Sequence, residues 1–210
     1  VIFSVLIIST IIKFTVGFKQ LYYFDIEYLN IPVLSGLSKE DIKKNYDYMI
    51  DYNLDKDNKE FELPSIKSSE NGKIHFEEVR NIFQILNKIF KISLVLSIIG
   101  LVINILNKNI EFLKTTSKAL IVIPLILMLP IVVNFEGSYV LFHKIMFNND
   151  YWIFDPSTDP IINALPEELF MIYALIILVI ILSISVIIKI NKRKIVKGSA
   201  FSYSEKMIIK

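Results

Sequence analysis

The sequence has no cysteine, which excludes a disulfide framework, a thiolate nucleophile and a Cys-ligated zinc site together. Histidine is nearly as scarce: His75 and His143 are the only two, so a nitrogen-ligand metal site is almost excluded as well. A dominant charge of one sign is also missing. With 210 residues and a formal net charge of +2, the balance points neither to nucleic acid nor to an acidic partner. Internal repeats and low-complexity tracts are absent outside the apolar runs. Those runs are what the chain has in excess. It is 53% hydrophobic with a mean hydropathy of +0.52, against roughly 45–50% apolar in an ordinary soluble domain.

A membrane-crossing helix needs about 20 mostly apolar residues, and four stretches approach that length. They are Val1–Phe18, interrupted by Lys13; Ile89–Leu106; Ala119–Val133, carrying Pro124 and Pro130; and Leu169–Ile190. The second and third are short, so tilt or apolar flanks must help them span. No small-residue cleavage site follows the first run, which reads as a retained helix and not a signal peptide. The chain begins at Val1 rather than Met, which is consistent with residues missing before it. Lys13 is either a functional charge or a side chain snorkelling to an interface.

The expected fold is mainly α and membrane-embedded, with four transmembrane helices and a small extracytoplasmic cap. Its boundaries are 1–19, first span; 20–88, cap segment; 89–106, second span; 107–118, cytoplasmic loop; 119–133, third span; 134–168, second outer segment; 169–190, fourth span; and 191–210, basic tail. Orientation follows from the positive-inside rule. Lys108, Lys114 and Lys118 lie in the short loop, and Lys189, Lys192, Arg193, Lys194 and Lys197 cluster at the C-terminal end. Segment 134–168 has one basic residue, Lys144, and six acids. Both chain ends are therefore expected inside and both acidic segments outside.

Within segment 20–88, residues 21–31 read as extended chain entering a turn at Asn30 and Pro32. Ser38-Lys39-Glu40-Asp41 opens a helix in near capping-box fashion, and Ile42, Tyr46, Met49, Ile50 and Tyr52 give it an apolar face. Asn53–Lys59 and Pro64–Gly72 read as irregular. From His75, the spacing of Val79, Ile82, Phe83, Leu86 and Phe90 predicts a helix running into the second span.

Both histidines fall outside, His75 about four helical turns before the second span and His143 shortly after the third. A short loop joins those spans, so they are expected to pack as an antiparallel hairpin and bring the histidines together. Paired imidazoles suit proton transfer near neutral pH; the plainer alternative is that each satisfies local backbone. Tyr151, Trp152 and Phe154 fit an interfacial aromatic belt. Asp155-Pro156 and Asp159-Pro160 fit turns, while Asp150, Asp155 or Asp159 could instead orient a histidine. Ser138 and Ser157 lie outside any nucleophile-elbow motif. A zinc site would need Asp155 or Asp159 to join both histidines. The segment itself does not choose among these.

The run Asn71 to Arg80, with His75, Glu78 and Arg80, and the run Phe142 to Phe170, with His143, Asp150, Trp152, Asp155 and Asp159, resemble the two motifs of a known family. This is the bacterial four-helix integral membrane family that includes the lipoprotein intramolecular transacylase (Lit), and the resemblance spans essentially the whole chain. Glu78 stands where the family often has Asp, and Arg80 where it often has Lys. The resemblance implies an acyltransferase in the bacterial cell membrane with its active site facing outside. It would move the sn-2 acyl chain of a diacylated lipoprotein to the α-amino group of that lipoprotein's N-terminal cysteine, giving a lyso-form product. It further implies catalytic roles for His75 and His143, supporting or substrate-binding roles for Glu78, Arg80, Asp150, Trp152, Asp155 and Asp159, no cofactor or metal, and a monomer among membrane lipids. One histidine would act as base and the other as acid or oxyanion partner, in either order. The competing readings are a membrane ester hydrolase using Ser138 or Ser157, and a non-enzymatic accessory protein.

Overall fold

The computed structural model describes residues 1–55 and 60–208, with side chains described through Val196. Among the described residues the regular structure is entirely helical. Helix α1 is Ile2–Gly17, α2 is Lys19–Tyr28, α3 is Ile31–Ser35, α4 is Lys39–Leu54, α5 is Glu70–Leu106, α6 is Glu111–Val133, α7 is Phe135–Met146 and α8 is Glu167–Ile208; a 3₁₀ turn covers Pro160–Ala164. Helices α5, α6 and α8 are long and apolar enough to cross a membrane. Helices α1 and α2 meet the same test only when taken together across a bend of 56°, which gives three spans, or four if that bent pair counts as one.

Helix α6 starts at Glu111, so the expected cytoplasmic loop shrinks to a tight turn at Asn107–Ile110, with Lys108 left-handed at φ 49°. That extension gives the third span the length its apolar core lacked, and it carries Pro124 and Pro130 inside the helix. Helix α8 likewise runs on past Ile190 into the basic tail without a break.

The expected hairpin of the second and third spans does not form as a packed pair. Helix α5 packs along α1, and α6 packs along α8, with α1 touching α5, α6 and α8. Tight turns order two helices as antiparallel neighbours in sequence, but side-chain fit decides contact. Here Ser4 donates to the Thr116 carbonyl at 3.3 Å. Phe3 lies against Phe112 and near Gly100, so α1 wedges between the two. Lys13 is half-buried: its Nζ donates to Asn87 Oδ1 at 2.6 Å and sits 4.3 Å over the Phe90 ring. The charge therefore joins α1 to α5 above the bundle.

The cap is built by α2, α3, α4, the segment 60–69, the start of α5 and the 3₁₀ turn. Residues 21–31 are not extended as expected. Tyr22, Asp25 and Ile26 are buried, at the i, i+3, i+4 spacing of a helix face, and α2 lays that face on the cap core. Asn30, at φ 53°, makes the turn into α3. Helix α4 begins as read: Ser38 Oγ accepts from the Asp41 amide at 3.1 Å, and Ile42, Tyr46, Met49, Ile50 and Tyr52 are all buried. The expected irregular stretch Asn53–Lys59 is helical to Leu54, and its residues 56–59 lie outside the described residues. Tyr22 stacks on Tyr46 at 3.6 Å and its hydroxyl donates to the Ala164 carbonyl at 2.6 Å, tying α2 to the 3₁₀ turn. Buried Asn45 exchanges hydrogen bonds with Ser65, which pins segment 60–69 to α4.

Candidate active site

His75 and His143 meet where α5 and α7 converge. Their ring centroids lie 6.1 Å apart, and the residues are only 6% and 8% exposed.

His75 owes its position to the first turn of α5. Ser69 caps the helix, its Oγ accepting from the Gly72 amide at 3.0 Å. Asp159, itself buried, reaches in from segment 134–168: Oδ1 accepts from the Ser69 amide at 2.7 Å and Oδ2 from the Thr158 hydroxyl at 2.8 Å. A carboxylate at a helix N-terminus is favoured by the exposed amides and the helix dipole. The contact requires a glycine, because a Cβ at Gly72 would run into the Asp159 carboxyl. Phe76 stacks between Phe61 and Phe154, which fixes the rotation of α5.

His143 sits in the last turn of α7, a helix begun by Asn134 accepting from the Gly137 amide at 3.0 Å. Its Nδ1 lies 2.7 Å from the Tyr139 carbonyl one turn back. A carbonyl only accepts, so Nδ1 carries the proton and Nε2 keeps its lone pair. Trp152 stacks on the His143 ring at 4.7 Å, and Tyr139 lies 4.2 Å away on the ring centroids. Phe147 and Phe154 meet His75 edge-on at 4.7 and 5.4 Å. Trp152 and Phe154, expected in an interfacial belt, therefore wall the histidine pair; exposed aromatics include Phe14, Phe18, Phe24 and Tyr28.

This apolar box depresses both imidazoles. Burial, with the neighbouring His143, lowers His75 to about 4. Burial also lowers His143, against the opposing effect of its Tyr139 hydrogen bond. Both rings are neutral at physiological pH, and His143 is the one whose environment supports its protonated form.

Glu78 lies one turn along α5 from His75. Its Oε1 accepts from Asn149 Nδ2 at 2.7 Å, and its buried Oε2 has no partner among the described residues. The Nδ1 of His75 and the Nε1 of Trp152 are likewise buried without partners among the described residues. Asn149, Tyr139 and Phe147 complete the site although the sequence did not single them out. Recognising residues 135–146 as a helix would have placed Tyr139 a turn below His143.

The remaining expected residues lie elsewhere. Arg80 is about 140° around α5 from His75 at 3.6 residues per turn. It is buried against Tyr52, over whose ring its guanidinium lies at 4.7 Å, and its Nε donates to the Asp55 carbonyl at 3.4 Å. Asp150 is exposed. Asp155 makes the turn that its Pro neighbour suggests, accepting from the Ser157 amide at 2.8 Å, and that amide holds its carboxyl below the usual range. No described contact joins Asp150, Asp155 or Asp159 to either ring. Among the described residues no three His, Asp or Glu side chains gather as a metal cluster. Ser157 is exposed in its turn, and Ser138 lies about 140° around α7 from His143.

The family model described as lipoprotein intramolecular transacylase Lit matches residues 1–170. Among solved structures, the membrane-integral lipoprotein intramolecular transacylase Lit from Bacillus cereus is 41% identical, with a TM-score of 0.90 over 95% of this chain and 94% of that one. Two variants of that enzyme with one histidine replaced also match. The arginine variant has 41% identity and a TM-score of 0.83 over 96% and 92% of the two chains. The alanine variant has 39% identity and a TM-score of 0.77 over 95% and 94%. No curated protein matches the chain. A match over most of the chain's length, with the same fold at 41% identity, settles the family: this chain belongs to the lipoprotein intramolecular transacylases, Lit.

Proposed function

We propose that the chain moves the sn-2 acyl group of a diacylglyceryl-modified lipoprotein onto the α-amino group of the lipoprotein's own N-terminal cysteine, with His143 as general base and His75 as oxyanion partner, on the outer side of a bacterial cell membrane. The observation that carries this reading is the pair of buried, neutral imidazoles 6.1 Å apart in an aromatic box.

An α-ammonium with a pKa of about 7.7–8.0 must lose its proton before it can attack an ester. The free Nε2 of His143 is the acceptor, since Nδ1 is committed to Tyr139. The amine then attacks the sn-2 carbonyl carbon, the new C–N bond forms, and the C–O bond to the glyceryl oxygen breaks. The proton on His143 passes to that oxygen, and His143 then takes the second proton from the acylated nitrogen and releases it to solvent, so the step neither consumes water nor leaves an acyl group on the enzyme. His75, depressed to about 4, is too weakly basic to serve as a protonated acid at neutral pH. A neutral imidazole N–H can still donate to the developing oxyanion. The unpartnered Oε2 of Glu78 is the acceptor for the substrate's ammonium, and Nε1 of Trp152 is a donor for a substrate carbonyl. Donor and acceptor belong to one molecule, so effective molarity takes the place of a nucleophilic side chain. The aromatic walls exclude water that would otherwise hydrolyse the ester.

Mass spectrometry of one lipoprotein's N-terminus, with and without this chain expressed, tests the reading. The acyl chain should shift from glyceryl to amide. His143→Ala should lower that conversion by about 10²–10⁴-fold with the protein still in the membrane. Full conversion by both His143→Ala and His75→Ala would overturn the mechanism.

A further inference from the structure

The bundle carries a second built feature at the end opposite the histidines. A cleft of about 640 Å³ opens between α6 and α8, lined by Lys114, Ser117, Lys118 and Ile121 on one helix and by Lys189, Lys192, Arg193 and Val196 on the other. Each set has the spacing i, i+3, i+4, i+7, so each is a single helix face, and the two faces oppose each other. Five cations converge on this space. The carboxylate beside them is Glu111, which accepts from Lys192 at 2.7 Å; that hydrogen bond, with the charges of Lys192 and Lys114, lowers its pKa. Lys118, Lys189 and Arg193 have no ion-pair partner among the described residues. Ser117, which lines the cleft, is tied to Ser185 of α8: their hydroxyls bond each other and each other's backbone carbonyls. Ile121 and Val196 supply apolar wall.

Orientation in the bilayer needs basic residues near the inner helix ends, but it does not need them on two facing helical stripes. Lys194, on the same stretch of α8, is exposed and lies outside the cleft, and it would serve orientation equally well. Like charges held together this way repel unless an anion joins them. Basic pockets between membrane helices suit phospholipid headgroups, each nearby Lys or Arg adding about fivefold in affinity. We propose that this cleft binds one anionic phospholipid of the inner leaflet, its phosphate among Lys118, Lys189 and Arg193 and its acyl chain along the apolar wall. The site is separate from the transacylation centre and clamps the extended end of α8 to α6.

Native mass spectrometry of the full chain released from nanodiscs tests this, using phosphatidylcholine alone or with phosphatidylglycerol added. The chain should retain one phosphatidylglycerol in preference to phosphatidylcholine. Lys118→Gln combined with Lys189→Gln should weaken retention about thirty-fold. Lys194→Gln should leave retention unchanged, and Lys118→Arg with Lys189→Arg should restore it, which separates lost binding from a damaged bundle. Equal retention of the two lipids, or an equal loss in Lys194→Gln, would overturn the proposal. So would inorganic phosphate displacing phosphatidylglycerol at equal concentration, since that would mark a site for a soluble anion.

Discussion

The cap and the membrane bundle are held together by different chemistry. In the cap, Tyr22, Ile26, Ile31, Ile42, Tyr46, Phe61 and Phe76 form one continuous buried core. In the bundle, the buried apolar cluster among the described residues is Ile11, Leu120 and Ile181, while the Leu and Ile side chains of α5 are largely exposed and most of those of α6 and α8 are exposed or half-buried. Serines and threonines fill the helix contacts there: Ser4, Ser9, Ser93, Ser97, Thr116, Ser117 and Ser185 are all buried. The contrast follows from the surrounding medium. Water drives apolar groups of the cap together, whereas lipid is as apolar as leucine and leaves close approach and hydrogen bonds to join helices. The aromatic box around the two histidines belongs to the first regime although it is reached through elements of the second.

If that contrast is right, perturbing the cap should cost far more than perturbing the bundle. Acid should act most strongly. The unfolded chain protonates His75 near pH 6.5, and the folded chain only near 4. Stability therefore rises with pH across that window and is lost as pH falls through it, by about 3 kcal/mol. Fluorescence of Trp152, the single tryptophan, followed during denaturation at pH 7 and pH 4, should show the loss. The His75→Gln variant should lack most of it. An unchanged midpoint would show that His75 is not held neutral by burial.

Gly72→Ala comes next. Its methyl would displace the Asp159 carboxylate from the start of α5, at about 1–3 kcal/mol. A thermal melt should record the destabilisation, and lipoprotein conversion should fall because His75 rides on that turn. A normal melt with normal conversion would remove Asp159 from the positioning of His75. Ser185→Ala should have the smallest effect. It removes a hydroxyl that donates to the Ser117 carbonyl at 2.8 Å, and hydrogen bonds between membrane helices average about 0.6 kcal/mol. A loss as large as that for Gly72→Ala would erase the distinction between the two regions.

Much of this molecule was legible before any coordinates. The α4 face, the cap at Ser38 and the helix from His75 into the second span all follow from local periodicity, and the structure has them. The meeting of the two histidines was also expected, but by the wrong route. It was attributed to a packed hairpin of the second and third spans, whereas α5 and α6 are separated by α1 and the histidines are joined through α7 and the aromatic box. Residues 21–31 were misread because a ten-residue helix with buried Tyr22, Asp25 and Ile26 carries too few apolar positions to outweigh the alternation around it. The carboxylates were the hardest to place. Asp155 and Asp159 both precede a proline and both read as turns, and any of the three could have oriented a histidine. The fold leaves Asp150 exposed, keeps Asp155 as the turn former and makes Asp159 the clamp on α5.

The sequence alone determined that the chain is a membrane protein and roughly where its long helices run, because long apolar runs have no other stable environment and helical period is a local property. It also supplied the two histidines. Tertiary structure decided which helix faces which, how dry the imidazoles are and which carboxylate has a task. Those outcomes depend on packing between segments distant in the chain, and burial sets the protonation of a ring only once its neighbours are in place.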